Sequence, residues 1–517
     1  MYMLYYAVGG VLLGVGAVYS PLWWVSLFAF APLFFVLSQE QKSSRLLLGG
    51  FLAGACTYGI TAWCLFDVLP IDGLSIYEGW KSTVAVAVVW AYELVAFLIT
   101  FALGLVVFVR LRTKTWFDIV LIASIYVLSE WLGSLLFGVL NMSNNSYWFD
   151  EYTLFSPAYL IAESDTLRIA ARLGGVYALM FIQAFIGALI GAFFVFTEGK
   201  HRRNVYIVAA VSICCIIGLF FYEGKLEMHE NKSNGLTVAL VQTDSRASQK
   251  NIDEYILAAK EAGVDMLIFP EDYDVSYRSM TPQEKTIGIV NTPYTFSEPF
   301  SIIDSLTEHH DDGGILRINY HHAGGLGVQH GYKQLLLPGG ETQPLLLIAL
   351  LSLFGQSDIV ETVSSKSSKQ GSNIGELFIE QGVPLSVRLC SEAISPRLYR
   401  SDVVAGAQVL VNIASHAWFH NSSRADDAMR RIAKVRATEL GRYYAKSSID
   451  AKTYLIGSTG RELAVTPLGA EEVLVVDVYP QTDKTLYAAL GSWTLLVPIS
   501  ICFGVYLWIR NRRELTF

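Results

Sequence analysis

Long apolar runs alternate with short polar loops over residues 1–222, and a further apolar run covers residues 489–509. Crossing the hydrocarbon core of a bilayer takes about 20 apolar residues, so these runs predict membrane-spanning helices. We predict about eight spans, with a hairpin at Ser20-Pro21 between the first two. The spans are predicted over residues 4–19, 22–38, 46–66, 83–109, 116–138, 168–197, 205–222 and 489–509.

The charges in the loops predict the orientation of these spans. Every second loop is basic, with Lys42, Arg45, Arg110, Arg112, Lys114, Lys200, Arg202, Arg203, Arg510, Arg512 and Arg513. The other loops are mainly acidic, with Asp67, Asp72, Glu78, Asp150, Glu151, Glu163 and Asp165. Because cytoplasmic loops carry the excess of Lys and Arg, we expect both termini in the cytoplasm and residues 223–488 on the outer side.

Residues 223–488 have a different pattern, in which short apolar strands alternate with amphipathic helices. Such alternation is typical of an α/β domain. Strands are predicted at 236–242, 266–269, 314–319, 385–389, 407–413, 453–457 and 472–478, and helices at 251–262 and 424–441. We therefore divide the chain into a bundle of about seven helices (1–222), an outer domain (223–488) and a final helix with a short tail (489–517).

Composition agrees with this division. The 517 residues are 53% hydrophobic and only 16% charged, which excludes intrinsic disorder and coiled-coil classes. The net charge of −8 argues against a nucleic-acid partner, because such binders carry a basic footprint.

The spans contain two acids, Glu93 and Glu130, and three Gly-xxx-Gly pairs. Intramembrane carboxyl groups are functional candidates by default; the alternative is that they are hydrogen-bonded between helices. The glycine pairs begin at Gly10, Gly50 and Gly187 and fit close helix packing.

Cysteine placement isolates one residue. Cys56, Cys64, Cys214, Cys215 and Cys502 fall in or beside the spans, whereas Cys390 is the single cysteine of the outer domain. A disulfide within that domain is excluded. No Cys-x-x-Cys pair, P-loop or dinucleotide fingerprint is present, so we expect neither a metal nor a cofactor.

Glu271, Lys333 and Cys390 are the strongest chemical candidates. Glu271 and Cys390 follow predicted strands, and Lys333 follows a glycine-rich segment. Strand ends are where α/β folds place their chemistry. A carboxylate can take the proton of a thiol, and an ammonium can stabilise the oxyanion formed when the thiolate attacks a carbonyl. Taken singly, each has an ordinary alternative as a solvated or core side chain.

At these residues the chain resembles the nitrilase (carbon–nitrogen hydrolase) superfamily, and more closely the bacterial apolipoprotein N-acyltransferase family. The motifs are FPED with Glu271, YKQLLLPGGE with Lys333, RLCSEAISP with Cys390, HAWF at 416–419 and VRATELGR at 435–442. The resemblance implies an αββα sandwich for the outer domain. It assigns general base to Glu271, oxyanion stabiliser to Lys333 and nucleophile to Cys390.

The resemblance also implies supporting active-site residues, namely Glu341, Glu392, Ser391, Trp418 and Phe419. The chain departs from the family pattern at Ser391, where an aromatic is usual, at Ser415-His416, where Asn-Asp is usual, and at Gly339, where Phe is usual. We expect these departures to affect the walls of the pocket. Trp418 and Phe419 could line an acyl tunnel or fill the core.

The apolar run Leu345–Phe354 is too short to span a bilayer. We interpret it either as an arm that dips into the lipid surface or as a buried core helix.

By resemblance, the expected reaction moves an acyl chain from a phospholipid to the N-terminal amino group of a diacylglyceryl-cysteine lipoprotein through a Cys thioester. The expected setting is the bacterial inner membrane, with a periplasmic catalytic domain, membrane lipid as surroundings and a monomeric enzyme. The main alternative is a membrane-tethered amidase or nitrilase that uses water as the acceptor. A scaffold and a transporter are further alternatives, but neither explains the three ordered motifs.

Overall fold

The computed structural model describes residues 1–39, 42–71, 79–143, 146, 152–244, 252–273, 298–309, 315–323, 327–353, 355, 368–371 and 377–514. Several residues named above lie outside this set: Asp72, Glu78, Asp150, Glu151, Asn251, Gly314 and Phe354.

Each predicted span lies on helical structure. The N-terminal helices are α1 Tyr2–Val18, α2 Phe30–Ser38, α3 Ser43–Thr61, α4 Trp80–Leu111, α5 Asp118–Leu140, α6 Asp165–Arg168, α7 Ala171–Val195 and α8 Gly199–Met228. Short 3-10 helices, Ser20–Phe28, Ala62–Val68 and Pro157–Glu163, adjoin them. Among the described residues, six helical stretches are long and apolar enough to cross a membrane, and Tyr2–Val18 and Trp493–Trp508 are shorter apolar helices.

The Gly-xxx-Gly prediction is confirmed, because all three pairs lie at helix–helix contacts. Gly10 and Gly14 of α1 meet the backbone of α3 at Ala53 and Thr57, and Gly50 of α3 lies against Ala102 of α4. Gly187 and Gly191 of α7 pack on α2 and the residues just before it. A Cβ on Gly14 would lie 2.8 Å from the Thr57 carbonyl oxygen, so these helices approach closely only because glycine has no side chain.

The two intramembrane acids are both buried in the bundle. The Tyr58 hydroxyl donates a hydrogen bond to Glu130 Oε1. Glu130 therefore fits the hydrogen-bonded alternative, which explains how a carboxyl group is tolerated between apolar helices.

The described residues of the outer domain form twelve strands: β1 Leu236–Thr243, β2 Met266–Ile268, β3 Ser301–His309, β4 Ile315–Ala323, β5 Gly327–Tyr332, β6 Phe378–Glu380, β7 Val383–Leu389, β8 Val409–Ser415, β9 Tyr443–Ile449, β10 Tyr454–Ile456, β11 Glu462–Val465 and β12 Glu472–Val478. Its helices are α9 Ile252–Ala262, α10 Leu345–Leu353, α11 Pro396–Ala405, α12 Ser423–Leu440 and α13 Leu486–Leu490, and α14 Trp493–Glu514 closes the chain.

The strands form a sandwich. They pair in the order β5-β4-β3-β2-β1-β9-β8-β7-β6, with β12 added to β1 and β10 to β9. One arm of this path runs from β5 to β1 and the other from β9 to β6. The two arms share one apolar core, in which Ile268 and Ile303 from the first arm lie with Leu389 and Ile413 from the second. Helix α9 covers the outer face of the first arm, and α11 and α12 cover the second. The predicted αββα architecture is therefore confirmed.

Helix α12 joins this sandwich to the bundle. Its Ala433, Ala437 and Leu440 pack on the sheet, whereas Ile432 and Val435 belong to the apolar core of the bundle. Polar contacts flank this seam: Asp67 pairs with Arg424, Glu163 accepts from Lys434 Nζ at 2.7 Å, and the Tyr159 hydroxyl accepts from Arg436 at 2.5 Å. The catalytic half is thus fixed to the bundle by buried side chains as well as by the chain connection.

We predict that Gly10→Val destabilises the bundle, because overpacking a close contact typically costs about 1–3 kcal/mol. The measurement is the apparent Tm of the detergent-solubilised protein by intrinsic fluorescence. The matched control is Gly218→Val in α8, where an added Cβ meets nothing within 4 Å. Equal Tm values for the two variants would contradict close packing of α1 on α3.

Candidate functional site

Glu271, Lys333 and Cys390 lie at one edge of the sandwich. Strands β7, β8, β9, β1 and β2 are successively parallel, so their carboxyl ends share this edge. Strand β5 runs in the same direction, because it is antiparallel to β4, which is antiparallel to β3, the parallel neighbour of β2. Lys333 and Cys390 directly follow β5 and β7, and Glu271 comes three residues after β2.

Lys333 is a buried cation shared by two carboxylates. Its Nζ donates to Glu271 Oε1 at 3.0 Å and to Glu341 Oε1 at 2.6 Å, and the residue is only 1% exposed. The other oxygen of Glu341 accepts from the Leu337 backbone N–H at 2.9 Å. These contacts hold the ammonium group in one place, as a stabiliser of developing negative charge requires.

Cys390 is held in a strained turn near the Glu271 carboxylate. Its φ is +38°, where the chain leaves β7 and enters a one-turn 3-10 helix, Cys390–Ile394. The thiol Sγ lies 3.7 Å from the Ser415 carbonyl oxygen, and the Ser415 N–H donates to Glu271 Oε2 at 3.3 Å. The thiol and the carboxylate therefore contact the backbone of the same residue, Ser415, the thiol at its carbonyl oxygen and Glu271 at its N–H.

The ionisation of these groups follows from burial and mutual charge. Burial, reinforced by the Glu271 carboxylate and opposed by Lys333, raises the pKa of Cys390 to about 12. Burial also raises the pKa of Glu271, although Lys333 and Arg317 oppose it. For Lys333, burial is outweighed by Glu271 and Glu341, which raise its pKa above the ordinary value. At neutral pH, Cys390 is a thiol that needs a proton acceptor during attack.

Glu392 connects the cysteine turn to the lysine segment. Its Oε2 accepts from the Leu389 N–H at 2.8 Å, and its Oε1 accepts from the Gln334 N–H at 2.8 Å. Ser391 adds a second link, since its hydroxyl donates to the Leu335 carbonyl at 3.3 Å. Both residues therefore set the position of Cys390 relative to Lys333.

Arg317, on β4, is a member of the site that the sequence interpretation missed. Its Nε lies 3.1 Å from Glu341 Oε1, and its Nη1 lies 3.6 Å from Glu271 Oε1 and 3.0 Å from Asp272 Oδ2. The available signal was a charged residue in the middle of the apolar strand GILRIN.

The departures at Ser415 and His416 add no charged side chain next to the thiol. Ser415 contacts Cys390 and Glu271 through its backbone. His416 is buried, and burial together with Lys446 lowers its pKa well below the usual value. His416 is therefore neutral at physiological pH.

Two apolar segments of the outer domain, at 417–419 and in α10, are exposed or partly exposed. Trp418 is 59% exposed and Phe419 is partly exposed, so the core alternative for these two residues is wrong. Helix α10 has no buried residue, so the core-helix alternative for this run is also wrong. Its first residue, Leu345, donates its N–H to the Met142 carbonyl at 2.9 Å, just beyond the end of α5.

The site loop meets the bundle directly. A Cβ on Gly339 would lie 3.6 Å from Val89 of α4, and the Thr342 hydroxyl donates to the Ser143 hydroxyl at 2.8 Å. Within the described part of the chain, no group of three His, Cys, Asp or Glu residues could hold a metal ion.

Comparisons with known proteins identify the family. The apolipoprotein N-acyltransferase N-terminal domain matches residues 9–189, and the carbon-nitrogen hydrolase domain matches residues 237–485. An apolipoprotein N-acyltransferase of Methylococcus capsulatus is 24% identical, with 94% of each chain covered. The chain belongs to the apolipoprotein N-acyltransferase family. Another member, from Gloeobacter violaceus, is 22% identical and is covered over 93% of its length by 98% of this chain.

Among solved structures, the chain is similar to an amidase of the nitrilase superfamily from Nesterenkonia AN1. The sequence identity is 16% and the TM-score is 0.36, over 49% of this chain and 93% of the amidase.

We predict that Glu392→Gln loosens the cysteine turn. The amide NH2 would face a backbone N–H, and an unsatisfied buried donor costs about 1–3 kcal/mol. The apparent Tm should fall. Alkylation of Cys390 by iodoacetamide, followed by peptide mass spectrometry, should become faster as burial of the thiol is lost.

The control is Glu471→Gln, an exposed residue. Unchanged Tm and alkylation in Glu392→Gln would show that Glu392 does not hold the two segments together.

Proposed function

We propose that this enzyme transfers an acyl chain from a membrane phospholipid to the N-terminal amino group of a diacylglyceryl-cysteine lipoprotein. The observation that carries the proposal is the meeting of Cys390, Glu271 and Lys333 at a sheet edge whose rim touches a membrane bundle. Membership of the apolipoprotein N-acyltransferase family supports the choice of substrates.

In the first half-reaction, the Glu271 carboxylate takes the proton of Cys390, and Sγ attacks the ester carbonyl carbon of the phospholipid. Lys333 Nζ stabilises the oxyanion. When the ester C–O bond breaks, Glu271 returns its proton to the leaving oxygen. The products are a lysophospholipid and an acyl thioester on Cys390.

In the second half-reaction, the neutral amino group of the lipoprotein attacks the thioester carbonyl. Glu271 takes the proton that the nitrogen loses, and Lys333 again stabilises the oxyanion. The C–S bond then breaks, and the proton passes from Glu271 to Sγ. The amide product leaves a regenerated thiol, so donor and acceptor use the same site in turn.

The supporting residues have distinct proposed roles. Glu341 orients Lys333 through their 2.6 Å contact, and Glu392 and Ser391 position the Cys390 turn. Trp418 and Phe419 contact the acyl chain. Helix α10, whose Leu353 is 81% exposed, lies in the lipid surface at the mouth of the site.

Transfer is favoured over hydrolysis by the way the site adjoins the bundle. A tether for a hydrolase needs one span, whereas here the loop from Gly339 to Leu345 contacts α4 and the end of α5. These two contacts with the bundle suit a substrate that arrives from the bilayer.

We place the enzyme in the bacterial inner membrane as a monomer, with the catalytic domain (223–488) in the periplasm and both termini in the cytoplasm. The loop charges support this orientation. Basic side chains gather at the end of the bundle away from α12, where Arg110 Nη2 donates to Ser43 at 2.7 Å and Arg112 Nη1 donates to the Leu37 carbonyl at 2.6 Å.

Intact-mass measurement tests the thioester. Detergent-purified protein incubated with phosphatidylethanolamine should gain one acyl mass, which hydroxylamine should remove. Cys390→Ala should gain none, whereas Cys214→Ala, which changes a cysteine of α8, should gain it as the wild type does. A diacylglyceryl-cysteine peptide with a free N-terminus should discharge the adduct as an amide, and the N-acetylated peptide should not.

Two results would overturn the proposal. Release of free fatty acid at the same rate with and without the acceptor peptide would indicate a hydrolase. Turnover of a small amide, without reaction of any phospholipid, would exclude acyl transfer from lipid.

Orientation is tested by labelling with a membrane-impermeant maleimide in spheroplasts, in a background with Cys214 and Cys215 replaced by alanine. A cysteine introduced by Glu471→Cys should react in intact spheroplasts, and one introduced by Lys42→Cys should react only after lysis. The reverse pattern would place the catalytic domain in the cytoplasm.

A further inference from the structure

We infer that Arg317 is a positioning residue that keeps the general base Glu271 ionised, by bridging Glu271, Asp272 and Glu341 alongside Lys333. This inference rests on the proposed function, because it concerns the proton acceptor of that reaction.

The first argument is geometric. Lys333 Nζ and the Arg317 guanidinium both approach the same two oxygens, Glu271 Oε1 and Glu341 Oε1. The Arg317 backbone also takes part, since its carbonyl accepts the Lys333 N–H at 2.9 Å. The two cations therefore share the same pair of carboxylates, and β4 fixes both the guanidinium and the start of the lysine segment.

The second argument is the charge balance. Glu271 is faced by Lys333 from the end of β5, Arg317 from β4, Glu341 from the following loop, Cys390 from the end of β7, and its neighbour Asp272. With all three carboxylates ionised and the thiol neutral, Lys333 and Arg317 leave one net negative charge. Without Arg317 the same groups would hold two net negative charges. Uptake of a proton by Glu271 would then reduce the repulsion between the carboxylates.

The direction of the pH effect follows. Burial raises the pKa of Glu271. The positive charges of Lys333 and Arg317 lower this pKa, and the negative charges of Asp272 and Glu341 raise it. Removing Arg317 therefore raises the pKa of the base further. Because the base must be ionised to accept the Cys390 proton, activity should be lost first at low pH and should return as the pH rises.

Asp272 provides a compensating change. It is held by the Arg317 Nη1 at 3.2 Å and 3.0 Å to its two oxygens and by the Thr307 hydroxyl at 3.0 Å. Because its negative charge raises the pKa of Glu271, Asp272→Asn should act in the opposite direction to Arg317→Met.

The experiment measures the single-turnover rate of thioester formation from phosphatidylethanolamine between pH 5.5 and about 9.5, a range that brackets the raised carboxyl pKa values documented in proteins. For Arg317→Met we expect the acid limb, the low-pH side of the pH–rate profile where the rate falls, to move up by about one pH unit or more, as loss of an opposite charge implies. At the low-pH end the rate should then be about tenfold below wild type, and the difference should shrink as the pH rises.

Two further variants separate charge from structure. Arg317→Lys, which keeps a cation, should lie between wild type and Arg317→Met. Asp272→Asn should move the acid limb to lower pH, and in the double variant with Arg317→Met it should restore part of the low-pH rate. Asp272→Asn also keeps the inference testable if Arg317→Met fails to fold.

The outcomes distinguish this inference from the proposed function. If the wild type forms no thioester at any pH, the proposed function fails. If the wild type forms it and Arg317→Met is slowed by the same factor at every pH, or Asp272→Asn leaves the acid limb unmoved, the inference about Arg317 is wrong.

Discussion

The structure depends on the attachment of a soluble-type sandwich to a membrane bundle through helix α12. This helix has two apolar faces, one in the core of the sandwich and the other in the core of the bundle. Its charged side chains are paired with bundle residues at Asp67, Tyr159 and Glu163. Lys434 and Glu163 are largely shielded from solvent, and breaking such a pair leaves uncompensated charge. The seam therefore holds the sheet edge that carries Cys390 in a fixed position relative to the helical bundle.

A second constraint acts at that edge, where five ionisable groups lie close together, with Glu271 and Lys333 buried and Asp272 exposed. Three carboxylates, a lysine and an arginine are stable there because opposite charges alternate. The same arrangement determines reactivity. It keeps Cys390 as a thiol at rest, since burial and Glu271 raise its pKa. It also keeps the Glu271 carboxylate on the backbone N–H of Ser415, the residue whose carbonyl oxygen the thiol contacts. In the proposed reaction, the Cys390 thiolate therefore forms only as its proton is transferred.

The sequence predicted more of the fold than of the site. Apolar runs located the helices, and strands such as β1, β7 and β12 lie within two residues of their predicted bounds. Strands β3, β5, β6, β9 and β11 were not predicted. Strand β5 has the sequence GVQHGY, which is short and does not alternate apolar and polar residues. It forms through antiparallel pairing with β4. Glu271, Lys333 and Cys390 were found because each ends a strand or follows one within a recognisable motif.

The sequence by itself determined which segments form long apolar helices, which segment forms the α/β domain and which three residues are the strongest chemical candidates. These properties follow from local composition, periodicity and motif, which do not require the chain to be folded. Only the tertiary structure decided that α10 and Trp418 are exposed, that Glu392 links two distant segments, and that Arg317 joins the catalytic carboxylates. Each of these depends on contacts between residues far apart along the chain, and strand pairing and buried charge balance select such contacts only when the whole sandwich has formed.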